Sequence, residues 1–491
     1  MKNDIVLYEK IYRRLKYQIE CGLLPHGYKL PSRADMCKEY ETSEKPVRCA
    51  IEMLVRDGLI KASPRRRPVV IYHPDDAHRT ARHALQKAAS TSASNVIKTG
   101  ILVCYPVINR GISLCKGEDW SIPETIIEHM DPKQITAFWR LSNSFWRFFV
   151  ARNGNELILR IIDRMGYSEI DTLVGNYDIR AGYLATLEEF LRTVKAGGSP
   201  KDVPFDDMSF VYGFSGDKNE NAPDFILPAD SVFLLEGNQF KQKVCKSEER
   251  YSRIYLDILG QISMGRYNCG DYLPSHKELQ DIYGVSIDTT LRAIKVLKEW
   301  GVVKATPHKG IEVIAELDEL KKIHIDPKLV ACHVRRFLDS LELLTLTVEG
   351  VTAHAMSDIE KEDIEQFRNE LEKRWNDSYM FHYFPSYLLK FITEHIKYKT
   401  LRSIYDILRK NFHIGRSIPK LIGREKAASD YENYTKCLTA VELLENGNTP
   451  SFAELTAKLF QNIQSQIIEA CKKMDYWNAA MAVYDKTSLW K

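Results

Sequence analysis

Lys45 and Arg48 stand three residues apart in a stretch whose apolar positions, Val47, Ala50, Ile51 and Leu54, recur at helical spacing. A helix built on that stripe turns both basic side chains to the opposite face. From there a guanidinium can form a bidentate pair with guanine O6 and N7 in a major groove. Arg65, Arg66 and Arg67, within Ser63-Pro64-Arg65-Arg66-Arg67-Pro68, are suited to neutralising phosphate or probing a minor groove. Ser32 and Arg33 follow a Leu30-Pro31 turn, and Ser43 opens the stretch that carries Lys45. The chemistry marked out is contact with double-stranded DNA. Bond-making chemistry has no comparable signal: the sequence shows no Gly-rich phosphate loop, nucleophile motif or metal-ligand cluster, so neither an enzyme nor a cofactor is expected.

Three helices and a hairpin are needed to position these side chains. Residues 5–21 place Leu7, Ile11, Leu15 and Ile19 on one helical stripe, which Gly22 and Pro25 end. Ser32 caps a second helix, with Asp35 where a capping-box acid would sit, and Tyr40 lies near its end. Ser43 caps the third helix, Pro46 falls in its first turn, where a missing N–H costs nothing, and Gly58 stops it. Leu59 to Ala62 and Val69 to Tyr72 read as strands joined by the arginine-bearing turn. This is the layout of a winged helix-turn-helix, whose third helix enters the major groove. A solvated basic turn on an unrelated helical domain is the plainer alternative.

The same module occurs twice. A shift of 243 residues carries Tyr8 to Tyr251, Gly22 to Gly265, Gly27 to Gly270, Ser32 to Ser275, Tyr40 to Tyr283, Ser43 to Ser286, Ala50 to Ala293 and Gly58 to Gly301 without a gap. In the second copy Ile254, Ile258 and Ile262 rebuild the first helix, and Ser275 with Glu278 forms a capping box. Ser286 opens a third helix with Thr290, Ala293, Ile294 and Leu297 inward, and the wing carries His308 and Lys309. The electrostatics differ, however: residues 1–73 hold 15 Lys+Arg against 9 Asp+Glu, and residues 248–314 hold 9 against 9. His276 replaces Arg33, Leu291 replaces Arg48, and Ile287 and Asp288 point outward. Two accounts stay open for this copy. Arg292, Lys295 and Lys298 grip phosphate while Ile287 or Leu291 meets a thymine methyl, or the copy serves packing and dimer contacts alone.

The Leu-Pro-Ser-Arg turn (Leu30 to Arg33), Ser43, the Val-Arg-x-Ala segment (Val47 to Ala50) and Gly58-Leu59-Ile60 together resemble the DNA-binding domain of the GntR family of bacterial transcription regulators. The resemblance implies that Arg33 and Arg48 contact DNA and that Ser32 contacts phosphate. Regulators of this family act as homodimers, so two modules in one chain imply a covalent pseudo-dimer. It would deliver two winged helices to an asymmetric or pseudo-palindromic operator, with the first module dominating affinity; whether the fused chain pairs again stays open. A plasmid-type replication initiator, which also carries two winged helices, is the alternative.

The remainder reads as helical: residues 76–212, a polar linker at 213–247, and residues 320–491, the winged helices themselves occupying 1–73 and 248–315. The fold class expected is therefore mainly α with small β wings. Helices are expected at 76–90, 95–117, 135–150, 155–165 and 181–195, and in the second half at 359–375, 379–394, 400–410, 432–445 and 452–471, with 342–349 inside a long helix. Phe138 to Phe149 is the most aromatic stretch. Its helical spacing fits a bundle core, and the sharper reading is a pocket in which Arg140 or Arg147 clamps a carboxylate effector. The 243 shift still superposes Phe138 on Phe381, Phe145 on Leu388, Phe148 on Phe391, Ile158 on Leu401 and Ile161 on Ile404, so the duplication reaches into the helical segments. Phe381-His382 resembles a Phe-His pair in the helical effector domain of one GntR branch, where an acid and three histidines bind a metal. Tyr434 and Asn462 stand near where histidines belong, so no metal is expected, and His382 is a core residue or an effector contact.

At 491 residues the chain accommodates about three or four domains. Its 27% charged and 44% hydrophobic residues are ordinary for a globular protein. No apolar run is long enough to span a bilayer, the start has no leader pattern, and the ten cysteines lack metal spacing, so a cytoplasmic protein with reduced thiols and no membrane partner is expected.

Overall fold

The computed structural model describes residues 7–20, 24, 26–40, 42–63, 66–73, 95, 98–165, 171–172, 177–199, 225–226, 240–241, 244–263, 265–306, 309–316, 326–376, 384–415, 426, 428–474 and 476–490. The expected helix at 76–90 lies outside them. The first module is built from α1 (Leu7–Glu20), α2 (Arg33–Glu39), α3 (Glu44–Arg56), β1 (Ile60–Lys61) and β2 (Val69–Val70). Ile11, Leu15 and Ile19 from α1 close on Val47, Ala50, Ile51 and Leu54 from α3, with Leu30, Met36, Leu59, Ile60 and Val70 completing one core. The strands are shorter than the sequence suggests, pairing only Ile60 with Val70 and Lys61 with Val69.

The helical segment begins with α4 (residues 98–113), followed by α5 (Ser121–Glu128), α6 (Ile135–Arg152), α7 (Glu156–Arg164) and α8 (Tyr177–Lys195). Two short strands, β3 (Asp171–Thr172) and β4 (Phe225–Ile226), pair antiparallel. The second module comprises α9 (Ser247–Ser263), β5 (Tyr272–Leu273), α10 (His276–Tyr283), α11 (Ile287–Glu299), β6 (Val303–Thr306) and β7 (Gly310–Val313). Its wing is a three-stranded sheet in the order β5-β7-β6, a strand more than expected. The 243 shift maps eleven of the twelve core residues of the first module onto apolar core residues of the second, Ile11 onto Ile254 through Val70 onto Val313. The twelfth, Val47, becomes Thr290, which is fully buried. Gly58 and Gly301, just past the third helices, have φ of 71° and 70°, so the same left-handed turn leads into each wing.

The final helices are α12 (Pro327–Ala355), α13 (Lys361–Trp375), α14 (Phe384–His395), α15 (Lys399–Gly415), α16 (Ala428–Glu445), α17 (Thr449–Lys473) and α18 (Tyr476–Met481). The chain divides into two compact units, one holding residues 1–97, 115–148 and 165–235, the other 98–114, 149–164 and 236–491. The stretch 76–212 is thus not one body, because α4 and α7 pack with the second half. Nor is 213–247 wholly a connector: β4 lies in it, and Phe240 and Val244 are buried.

In the first unit Phe138 and Phe145 are buried, and Tyr183, buried too, accepts the Trp146 indole N–H at 2.9 Å and bonds Ser142 at 2.7 Å. The aromatic stretch is therefore core. In the second unit α4 lies against α12, with Arg110 3.7 Å from Glu342, and Lys98 near enough to His354 to add to burial and Lys397 in lowering its pKa. A Cβ placed on Gly350 would sit 3.5 Å from Leu102. Under the 243 shift Glu342, Gly350 and His354 correspond to Thr99, Val107 and Gly111. The pairs 110 with 99, 102 with 107 and 98 with 111 then share one midpoint, between residues 104 and 105. Positions related by that shift thus meet antiparallel about one point, as positions across a twofold, isologous contact would. Beside it, Asn155 donates to the Asp339 carbonyl and to Glu342, both at 2.9 Å, and Arg335 on α12 donates to Gly154 O at 2.9 Å.

Candidate nucleic-acid interface

Ser32 sits just before α2, its Oγ 2.6 Å from Asp35 Oδ2, while the Ser32 and Asp35 amides reach the reciprocal side chains at 3.2 and 3.1 Å. This box fixes the start of α2 and stands Arg33, its first residue, outward. Ser43 occupies the cap position of α3 in extended backbone, but its side chain bonds no amide of the helix. The Ser43 hydroxyl is exposed at the entry to the recognition helix.

Lys45 and Arg48 are exposed on α3 opposite the buried stripe. Arg33 lies 3.6 Å from Glu44, and Arg48 3.6 Å from Glu52, with half or more of each side chain exposed. Exposed pairs of this kind are worth about 0–1 kcal/mol, so phosphate or a guanine edge can displace the carboxylates. Sequence reasoning passed over Glu44 and Glu52, although Glu52 stands one turn beyond Arg48. Arg66 and Arg67 are exposed in the wing, while Arg65 lies outside the described residues.

The second interface is built alike and charged differently. Ser275 and Glu278 close a complete capping box, with the Ser275 amide 2.7 Å from Glu278, and the Ser275 side chain, then its amide, lower the Glu278 pKa. His276 does not stand out as Arg33 does: its Nδ1 is 3.1 Å from Thr290 Oγ1, and partial burial lowers its pKa. Its ring thus ties α10 to α11. Ser286 turns its hydroxyl to Thr289 at 2.9 Å. Outward on α11 stand Arg292 and Lys295, the latter 3.7 Å from Glu299, together with Ile287 and Leu291, each about half exposed. Lys309 is exposed in the wing, and His308 lies outside the described residues.

The modules differ again on the back of their first helices. In the first, Lys16 reaches Asp57 at 3.2 Å, and the Tyr12 hydroxyl donates to the same carboxylate. The equivalent positions in the second are Leu259, Trp300 and Tyr255. Leu259 and Tyr255 are buried, and the Tyr255 ring meets Trp300 edge-on at 5.1 Å. α9 packs on α15, and from the apolar back the Tyr255 hydroxyl reaches His333 on α12 at 2.8 Å.

The proposed effector contacts are not brought together. Arg140 and Arg147 are exposed on α6, opposite its buried aromatics, and His382 lies outside the described residues. Among the described residues no group of three or more His, Cys, Asp or Glu is placed to hold a metal ion, and no helix is long and apolar enough to cross a membrane.

The sequence pattern described as bacterial regulatory proteins, gntR family, matches residues 7–70 and 250–313. YdeL of Bacillus subtilis (strain 168), an uncharacterised HTH-type transcriptional regulator, is 34% identical over 73 residues. That match takes in 15% of this chain and 16% of YdeL, about one-sixth of the relative's length. Among solved structures, Streptococcus agalactiae GntR is 13% identical with a TM-score of 0.22, covering 45% of this chain and 99% of its own. The structure titled as Lar, which controls expression of the Listeria monocytogenes agr system, is 17% identical with a TM-score of 0.23, covering 46% and 97%. Likeness at those TM-scores adds nothing to the assignment, which rests on the two sequence matches and the two winged helices found at the same residues. Residues 7–70 and 250–313 are two DNA-binding modules of the gntR family of bacterial regulatory proteins, carried in one chain.

Proposed function

We propose that this chain is a transcription regulator that reads one operator with two unequal winged helices, the two modules taking the place of two subunits. The observation that carries this reading is the pair of winged helices at residues 7–70 and 250–313, built on equivalent cores, and the single midpoint of the α4–α12 contacts under the same shift agrees with two copies of one subunit meeting about a twofold. In the first module Arg33, Lys45 and Arg48 face outward from α2 and α3, with Arg48 reading a guanine and Arg66 and Arg67 contacting the backbone. Ser32 and Ser43 contribute phosphate contacts at the helix entries. In the second, Arg292, Lys295 and Lys309 supply phosphate contacts, while His276 is spent on Thr290.

Ile287 and Leu291 bear on the alternative role for the second module. They stand exposed on the recognition face, whereas packing against this chain's own helices uses the opposite side, through Tyr255 and Leu259. This favours thymine methyl contact over a purely architectural role. Selection of bound fragments from a genomic library tests the proposal. A motif of two dissimilar half-sites with centres about 34 Å apart is expected. A single half-site, or repeated sites confined to a replication origin, would reject it.

A further inference from the structure

Asp406, on α15, is approached by three cations: Lys241, Arg409 at 3.2 Å and Lys410 at 3.8 Å. Arg253, on α9, stands near enough to the same carboxylate and to Lys410 to interact with both. Arg253 is half-buried, and its guanidinium makes no hydrogen bond or ion pair with any described residue. Two further acids are described nearby. Glu249 takes both arms of Arg160, at 2.9 and 3.3 Å. Asp257 accepts the Tyr283 hydroxyl at 2.6 Å and the Gln261 amide at 2.8 Å. Arg336, the remaining cation, donates to His333, to Ser252 and to the Glu249 carbonyl.

Among the described residues five cations, Lys241, Arg253, Arg336, Arg409 and Lys410, therefore stand against two carboxylates, Asp406 and Asp257, an excess of three positive charges where α9 meets α15. The strain shows on Lys410, whose pKa is pushed down to about 8 by burial and then by Arg253. Partly desolvated cations without partners are costly, and a guanidinium fork matches two oxygens of a carboxylate or a phosphate. The DNA-facing residues of this module lie on α10, α11 and the wing, so a duplex held there leaves this junction to another anion.

We propose that the junction of α9 and α15 binds a small oxyanion, a phosphate or carboxylate group, between Arg253, Lys241 and Lys410, tying the second winged helix to its helical body. The binding stands on this charge imbalance alone, and only its regulatory consequence, fixing the angle of the second reading head, rests on the proposed function.

The test uses the full chain without DNA. Thermal unfolding is followed against sodium phosphate and sodium citrate, each compared with sodium chloride at matched ionic strength. Phosphate, citrate or both should raise the midpoint beyond chloride, and the stronger of the two identifies the anion class. Arg253→Gln and Lys410→Gln should each weaken apparent affinity at least tenfold, and Lys458→Gln, on the exposed face of α17, should leave it unchanged. Should Arg253→Gln fail to fold, Lys410→Gln on the other helix carries the same comparison. No shift beyond chloride, or equal shifts in parent and Gln variants, would overturn the proposal. If the anion binds and the selected DNA shows one half-site, the site stands and the two-headed reading falls.

Discussion

His333 joins the second winged helix to α12, and its titration should loosen that joint in mild acid. Arg336 donates to Nδ1 at 2.6 Å, so the neutral ring carries its proton on Nε2 and donates it to the Tyr255 hydroxyl at 2.8 Å. A second proton would have to sit on Nδ1, facing a guanidinium. Burial, then Arg336, pushes the pKa down to about 3 from an ordinary 6.5. A depressed folded value means that the contribution is complete above about 6.5 and is lost as pH falls towards 3, at about 1.4 kcal/mol per pH unit. From pH 7.0 to 5.5 the loss is about 1 kcal/mol, on the order of five- to tenfold in the opening constant of α9. Native-state hydrogen exchange of α9 peptides, corrected for intrinsic rates, measures it. His333→Gln, which cannot titrate, should remove the difference. An α9 protection factor that is flat from pH 7.0 to 5.5 in the parent, or equally steep in His333→Gln, would refute the reasoning.

Arg48→Ala should cost about 1–3 kcal/mol of operator binding and relax preference at one base pair, whereas Arg66→Ala should weaken all sequences and flatten the salt slope by about one unit; titrations at several salt concentrations separate the two. Ile287→Ala combined with Leu291→Ala should lower affinity for A·T-bearing second half-sites without changing the salt slope, because methyl contacts carry no counterions. Gly111→Ala should destabilise the chain by a few kcal/mol in denaturant unfolding, since the added Cβ would lie 1.8 Å from Phe149 O, an overlap that only a backbone shift relieves.

Much of the fold was legible because it is periodic. The stripes Ile11–Leu15–Ile19 and Val47–Ala50–Ile51–Leu54 are core in both copies, the serine caps mark the helix starts, and the exposure of Lys45 and Arg48 follows from the stripe opposite them. What stayed hidden depends on contacts distant in sequence. β5 is two residues long and is a strand only because β7 lies beside it. Nothing local to residues 98–113 says that they pack on α12 rather than on their sequence neighbours. His276 reads as a substitute for Arg33 until Thr290, fourteen positions on, takes its ring nitrogen. Arg140 and Arg147 share a helical face, as spacing requires, but that face is the exposed one. Lys241 sits in a stretch read as a connector, and only its partner Asp406 gives it a place.

Hydroxyl-radical footprinting of a one-to-one complex on the selected operator tests most directly whether one chain lays two unequal heads on one duplex. Two protected patches about one helical turn apart are expected, with Arg48→Ala weakening binding more than Arg292→Ala. A single patch, or equal losses from the two substitutions, would contradict it.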